Sequence, residues 1–205
     1  FDIVFTDKPV TDYRSLLTPK ETQKAIFAVK SFIERELCKS LNLMMVTVPL
    51  IVDTESGVND MLDRDGSRTP IQFHISNDRD LHPVEAQVVQ AATKWKRVAL
   101  QEFRMEVGEG LCTDMRAVRK DYFLDHDHSC YVDQWDWERV IRPEQRNLVF
   151  LKEVVGRIWK VLVGAESFVQ EMFPKLKDPR YPNLPEKLTF LHAEEILEMF
   201  PDLPR

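Results

Sequence analysis

The sequence predicts an α+β fold, a mostly antiparallel sheet flanked by helices, and three observations carry that prediction. Residues 111–119 and 129–138 alternate with a period of two and are separated by a charged stretch, 120–128, too polar to bury; this is a hairpin with a wide loop. A second extended pair, Ile71, Phe73, Ile75 and then 84–90, flanks a turn over 77–83. Two stretches with apolar residues at three- and four-residue spacing, one after Thr18 and one after Pro143, read as long amphipathic helices.

The first helix has a defined start. Thr18 caps, Pro19 suits the first helical position, and Glu21 completes a capping box. Its stripe is Ile26, Val29, Ile33 and Leu37, and it ends near 40–42. Residues 43–51 form an extended apolar run in which Pro49 marks an edge strand. The polar stretch 53–69, with Gly57 and Gly66, is a loop. After the first strand pair, a helix carries Lys94, Trp95, Lys96 and Arg97 and runs through Leu100 to Phe103. Beyond the hairpin, Pro143 opens the long helix, with Leu148, Leu151, Val155, Ile158, Leu162, Ala165 and Val169 covering one face of the sheet. Residues 174–185, with four prolines, are a surface connection; 188–191 read as a short strand and 193–199 as a helix.

A chain of 205 residues buries roughly 70% of its unfolded surface, enough for one core, so one domain over 1–205 is expected. The net charge of −6 argues against a nucleic-acid partner, which usually meets a basic stripe. The basic residues that cluster (Lys94, Lys96, Arg97, Arg116, Arg119, Lys120) are few and local, and suit a nucleotide better than a polymer. No run reaches the ~20 apolar residues of a membrane span, and the first ten residues lack the pattern of a signal peptide, so a cytoplasmic location is expected. Cys38, Cys112 and Cys130 have no metal-site spacing and read as reduced, packed thiols; Cys112 and Cys130 facing each other across the hairpin is the other arrangement.

On the hairpin, alternation puts Leu111, Thr113, Met115, Ala117 and Arg119 on one face of the first strand. On the second strand Cys130, Val132, Gln134, Asp136 and Glu138 share a face, and Tyr131, Asp133, Trp135 and Trp137 share the other. The Gln134, Asp136, Glu138 row places an amide and two carboxylates roughly 7 Å apart. Such a row is either a solvated face with salt bridges or a floor for an ammonium-bearing substrate beside a phosphate. Asp133 points away from it, which weakens a metal-dependent nuclease built on Asp133, Asp136 and Glu138. His126-Asp127-His128 forms no closed ligand set, so no metal site is assigned. Trp135 and Trp137 read as packing.

The string Tyr131-Val132-Asp133-Gln134-Trp135-Asp136-Trp137-Glu138-Arg139, with Gly108-Glu109-Gly110-Leu111 and Lys94-Trp95-Lys96-Arg97 before it, resembles ammonia-dependent asparagine synthetase, the aspartate–ammonia ligase family. That family is related to the catalytic core of class II aspartyl- and asparaginyl-tRNA synthetases. The resemblance runs from about Thr18 to the last residue and implies a class II synthetase-like catalytic domain, its N-terminal portion, incomplete at the C-terminus. It implies L-aspartate, ammonia and ATP as substrates, Mg²⁺ with the ATP, and a homodimer built on the first helix and the strand after it; neither membrane nor nucleic acid is implied. The implied reaction passes through β-aspartyl-adenylate and releases AMP and pyrophosphate.

The resemblance also implies roles. Arg119 meets the α-phosphate, Lys96 holds a substrate carboxylate, and Gln134, Asp136 and Asp60 surround the amino group and incoming ammonia. Asp60 or Asp136 accepts the ammonium proton. His128 shapes the loop beside ATP, and Glu138 supports the ATP site. Where the family has His-Ser before the Lys94 helix, this chain has Gln90-Ala91, so the substrate-facing position Ala91 lacks a hydroxyl that would also cap the helix, an effect of about 1 kcal/mol. The family's glycine-rich strand and its arginine for the triphosphate are not found in these 205 residues, which are therefore not expected to catalyse the reaction alone. The alternative is a non-catalytic paralogue that binds an amino acid or a partner protein. A tRNA synthetase core would bring an anticodon-binding domain and a basic surface, and the sequence displays neither.

Overall fold

The capping box at Thr18 forms as the sequence dictates: Glu21 Oε2 accepts from the Thr18 N–H at 2.8 Å, and Thr18 Oγ1 accepts from the Glu21 N–H at 3.3 Å. It opens α1 (Pro19–Leu41), which ends where Asn42 turns left-handed at φ 56° and donates its N–H to Cys38 O. The computed structural model describes residues 14–63, 65–76, 83–121 and 128–201.

The extended run after α1 is cut in two. β1 (Leu43–Met45) lies parallel to β5 (Gly110–Val118), which pairs antiparallel with β6 (Tyr131–Arg139). β2 (Ile51–Asp53) joins a second sheet, with order β2-β4-β3, where β3 is Gln72–Ile75 and β4 is Val84–Val88. Pro49 therefore sits between two sheets, not on an edge strand as expected; with no N–H to donate, it stands where the ladder breaks. The Val89 N–H donates to Leu50 O at 2.9 Å, extending the β2–β4 ladder, and the two sheets meet where the Val118 N–H donates to Val89 O at 3.2 Å. The expected turn over 77–83 falls largely outside the described residues.

The hairpin register is fixed by close packing. A Cβ at Gly110 would stand 2.9 Å from Arg139 Cα and also clash with the Glu138 carbonyl, so only glycine lets β5 pass between β1 and β6. The register sets Thr113 opposite Asp136, Met115 opposite Gln134 and Cys112 opposite Trp137. The Arg119 N–H donates to Cys130 O at 2.7 Å. Cys112 and Cys130 are thus in different rungs and do not face each other; Cys112 lies against Cys38 of α1, and burial pushes its thiol up to about 12. All three cysteines are free.

The long helix α3 (Leu148–Met172) starts later than Pro143 suggests. Residues Pro143–Gln145 form a 3₁₀ turn, and Asn147 caps α3 by accepting from the Phe150 N–H at 2.9 Å. α1 and α3 pack together over one face of the first sheet. Ile33, Leu37, Leu41, Cys112, Val154, Val161 and Ala165 form that core, with Trp135 and Trp137 against it. Phe32 and Phe168 stack at 4.9 Å. Most of the expected stripes face this core, with Val29, Ile33 and Leu37 from α1 and Ile158, Leu162 and Ala165 from α3; Ile26, Leu148 and Leu151 are exposed, and α3 adds Val154 and Val161.

Residues 188–191 are not a strand; no strand among the described residues runs beside them to take their backbone bonds. Phe190 instead receives the Lys152 ammonium over its ring at 5.0 Å. The proline-rich connection runs back along α3, where Trp159 Nε1 donates to Pro185 O at 3.0 Å. The last helix, α4, is Ala193–Met199, as the sequence indicates.

Candidate active site

The second face of the β5–β6 hairpin, with Gln134, Asp136 and Glu138, looks away from α1 and α3. Met115 and Ala117 on this face are fully buried against Val52, Val89 and Ala92, which brings the second sheet and the start of α2 (Thr93–Glu102) over it. α2 buries Lys96 and Ala99, one turn apart, against the hairpin.

Lys96 is 0% exposed, and its Nζ forms an ion pair with Asp136 Oδ2. No hydrogen bond from the other described residues ends on either atom. An ammonium has three donors, so one carboxylate leaves Lys96 with capacity to bind a second acceptor. A fully desolvated charge persists only with a partner, since an unpaired ion costs several kcal/mol to bury. Thr113, 2% exposed, stands across from Asp136. One residue outward on α2, Arg97 Nε lies 3.6 Å from Glu138 Oε2. Burial raises the Glu138 carboxyl above its ordinary value, and Arg97 and Lys96 only partly oppose that.

Asp60 reaches the same helix from a distant loop. Its Oδ2 accepts from the Thr93 N–H at 2.7 Å and the Lys94 N–H at 3.3 Å. The N-cap position falls on Ala92, one residue past the Ala91 expected to cap, and offers no side-chain bond, so Asp60 caps α2 from outside the helix. Asn59, 8% exposed, locks the loop: its Nδ2 donates to Gln87 Oε1 at 3.1 Å, and its Oδ1 accepts from the Gln90 N–H at 2.9 Å. Lys94 Nζ donates to Asn59 O at 3.0 Å.

Arg119 follows β5 directly and turns its side chain toward the β4–α2 connection, where Nε donates to Gln90 O at 3.4 Å. Ala91, half-buried, is next in that connection. Two groups of predicted residues are thus assembled around α2: Lys96, Asp136 and Glu138 along the helix, and Asp60, Ala91 and Arg119 at its start. Gln134 is half-buried on β6, two residues from Asp136 on the same face. His128 is half-buried near the far end of the hairpin, away from α2 in sequence register. His126 and Asp127 lie outside the described residues, and among the described residues no three His, Cys, Asp or Glu side chains converge as a metal site. Sequence reasoning gave no role to Asn59, Gln90 and Thr113; the polar pair Asn59-Asp60 was the visible signal for the first, and Gln90 stood out only as the residue in place of the family's histidine.

The family model described as aspartate–ammonia ligase matches residues 20–205. The chain is similar to the aspartate–ammonia ligase of Bacteroides fragilis, with 44% identity over 94% of this chain and 53% of that protein. The aspartate–ammonia ligase of Clostridium tetani is 41% identical over 94% of this chain and 54% of its own length. The chain spans about half the length of the curated relatives it matches. Among solved structures, a pyrrolysyl-tRNA synthetase from Desulfitobacterium hafniense is similar at a TM-score of 0.49 and 9% identity, covering 67% of this chain and 46% of that one, a likeness too weak to argue from. The family match covers nearly the whole chain and includes every residue of the α2 assembly, from Asp60 to Glu138: this chain belongs to the aspartate–ammonia ligase family.

Proposed function

We propose that the assembly around α2 is the amino-acid and α-phosphate end of an active site that converts L-aspartate, ammonia and ATP to L-asparagine, AMP and pyrophosphate. The observation that carries this reading is Lys96: a fully buried ammonium, held by one carboxylate, with donors left for a substrate carboxylate. Aspartate's side-chain carboxylate would attack the α-phosphate to give β-aspartyl-adenylate and pyrophosphate. Ammonia would then attack the acyl carbon and AMP would leave.

Lys96 orients aspartate in this scheme, and Gln134 and Asp136 face its amino group. Arg119 neutralises charge on the α-phosphate; its planar fork bridges two oxygens, which a lysine does not. Asp60 or Asp136 accepts the ammonium proton in this scheme; the Oδ2 of each already faces a protein donor. Glu138 and His128 belong to the ATP side of the proposal. Mg²⁺ would accompany ATP and supply positive charge to its phosphates; among the described residues no three His, Cys, Asp or Glu side chains converge as a metal site. A homodimer belongs to the same proposal, supported by the exposed Ile26 and Phe27 on α1. No described helix is long and apolar enough to cross a membrane.

The product of the complete reading frame, assayed with L-aspartate, ATP and ammonium chloride, is expected to release AMP and pyrophosphate. Release of ADP, or charging of tRNA, would overturn the reading. Arg119→Ala should slow adenylate formation about 10²–10³-fold; a near-normal rate removes Arg119 from the site. One feature favours the non-catalytic alternative: Ala91 carries no hydroxyl toward the site. That alternative predicts aspartate binding with no AMP release from any product of the frame.

A further inference from the structure

The last turn of α1 lies over the strand it leads into. It carries Leu37, Cys38 and Leu41, and after the left-handed Asn42 the chain enters β1, whose Met45 pairs with Cys112 of β5. Leu37 and Leu41, on either side of Cys38, belong to one core with Cys112, and Cys38 packs against that core. The two thiols share a hydrogen bond. Thiols in contact have converging Cβ–Sγ bonds, which is what a disulfide requires. The third cysteine, Cys130, precedes Tyr131, which pairs with Val118 at the other end of β5.

The members of the pair differ in access. Cys38 is half-buried, so an oxidant in solution reaches it, whereas Cys112 is 0% exposed and meets only its neighbours. One sulfur is thus open to attack from outside, and the other is placed to finish the reaction from within. Both are free thiols in this structure, the form a reducing environment maintains.

We infer that Cys38 and Cys112 are an oxidation site, at which Cys38 takes up a small-molecule disulfide and Cys112 closes an intramolecular bond that clamps α1 to β5. In the first step the Cys38 thiolate attacks one sulfur of the oxidant. That S–S bond breaks, a mixed disulfide forms on Cys38, and the other half leaves as a thiolate that takes up the proton Cys38 gave up. In the second, the Cys112 thiolate attacks the Cys38 sulfur and expels the remaining half as a second thiol. The protein loses two electrons and two protons, and the oxidant gains them as two thiols. Burial raises both thiols, Cys112 to about 12, so both steps draw on a small thiolate fraction and quicken as pH rises. The clamp adjoins Thr113, which stands opposite Asp136 in the next rung, but it does not rest on the proposed reaction.

The test incubates the reduced 205-residue chain with glutathione disulfide, blocks residual thiols with iodoacetamide, and maps the bonds by mass spectrometry without reduction. The product should lack two hydrogens and yield one linked peptide pair holding Cys38 and Cys112, and dithiothreitol should reverse it. Cys130→Ser should close the same bond, and Cys38→Ser should close none. Closure should be about tenfold faster at pH 8.5 than at pH 7.5, and level with urea below the unfolding midpoint. The oxidised chain should have a urea midpoint about 1 M or more above the reduced one, because the bond closes a long loop of the unfolded chain. An untouched Cys38, a glutathione left on Cys38, or a bond to Cys130 overturns the inference. So does closure that accelerates with urea below the midpoint, which marks a bond made only in the opened chain, or a midpoint that does not rise.

Discussion

The two faces of the β5–β6 hairpin each meet a helix through one lysine, and the two lysines are engaged differently. On the α1 face, Lys30 Nζ contacts Asp114 Oδ1 at 2.7 Å and both oxygens of Asp133 at 2.7 and 2.8 Å. Its three donors are matched, and the three side chains keep 24% to 38% of their surface. On the α2 face, Lys96 has no exposed surface and one carboxylate. The first arrangement is what a fastening needs: partners in full number, with solvent to soften any mismatch. The second keeps a desolvated charge with unmatched donors, which costs stability unless a ligand completes it. Satisfaction of hydrogen-bonding capacity, more than the presence of charge, separates the fastening from the site.

The comparison breaks most easily at Lys96. Lys96→Met should leave Asp136 without its cation in a buried setting and lower the unfolding free energy by about 3–5 kcal/mol, read from the urea midpoint. Adding Asp136→Leu should recover most of that loss, because a matched apolar pair replaces a buried ion pair with little penalty. Neither variant should bind aspartate. A cost below about 1 kcal/mol for the single change would mean that the pair is solvated, and the contrast with Lys30 would vanish.

Which face is which was legible before any coordinates. Period-two alternation places Asp133 with the tryptophans and Gln134, Asp136 and Glu138 opposite them, and the register bears this out. The capping box at Thr18 and the extent of α4 were equally plain, because both are written in a few consecutive residues. The pairings were not. Nothing local tells that Asp60 caps a helix 33 residues later, that Lys96 finds Asp136, or that Lys30 finds Asp114 and Asp133. The break of the run 43–51 between two sheets depends likewise on which strands lie alongside. The stripes on α1 and α3 were legible over most of their length, but not that Val154 and Val161 join the seam, since a helix with apolar residues on several sides lets its neighbour choose it.

The α1 face should respond more mildly. Burial alone would pull the Lys30 ammonium down, but its bonds to Asp114 and Asp133 outweigh that and leave it above its ordinary value. Burial likewise pushes Asp133 up, and its bonds to Lys30 and Asp114 override that and hold the carboxyl below its ordinary value. Lys30→Met should cost about 1–2 kcal/mol at neutral pH, less than a fully buried pair, because these side chains are solvent-accessible. A carboxylate with a depressed folded value contributes stability above its unfolded value and loses it as pH falls through the folded one. The gap between wild type and Lys30→Met should therefore close below about pH 4, measured by urea unfolding at several pH values. Aspartate binding should be unchanged; its loss would place Lys30 within the site and erase the distinction between the faces.

Glu138 provides the smallest and most diagnostic effect, since it lies on the α2 face with an exposed partner. Burial raises its carboxyl above the ordinary value while Arg97, 3.6 Å away and two-thirds exposed, recovers only part of the cost. A raised folded value means that the native state holds the proton more tightly than the unfolded chain does. Stability from this group is therefore greatest in acid and declines as pH rises through the folded value, the reverse of Asp133. Glu138→Gln, fixed in the neutral form, should be slightly more stable than wild type at pH 7, by less than about 1 kcal/mol, and no more stable at pH 4 and below. Paired urea curves at the two pH values measure the difference. The opposite sign at pH 7 would show the Arg97 pair outweighing burial, and Glu138 would then belong with Lys30 among the fastenings, leaving Lys96 and Asp136 as the unsatisfied centre of the face.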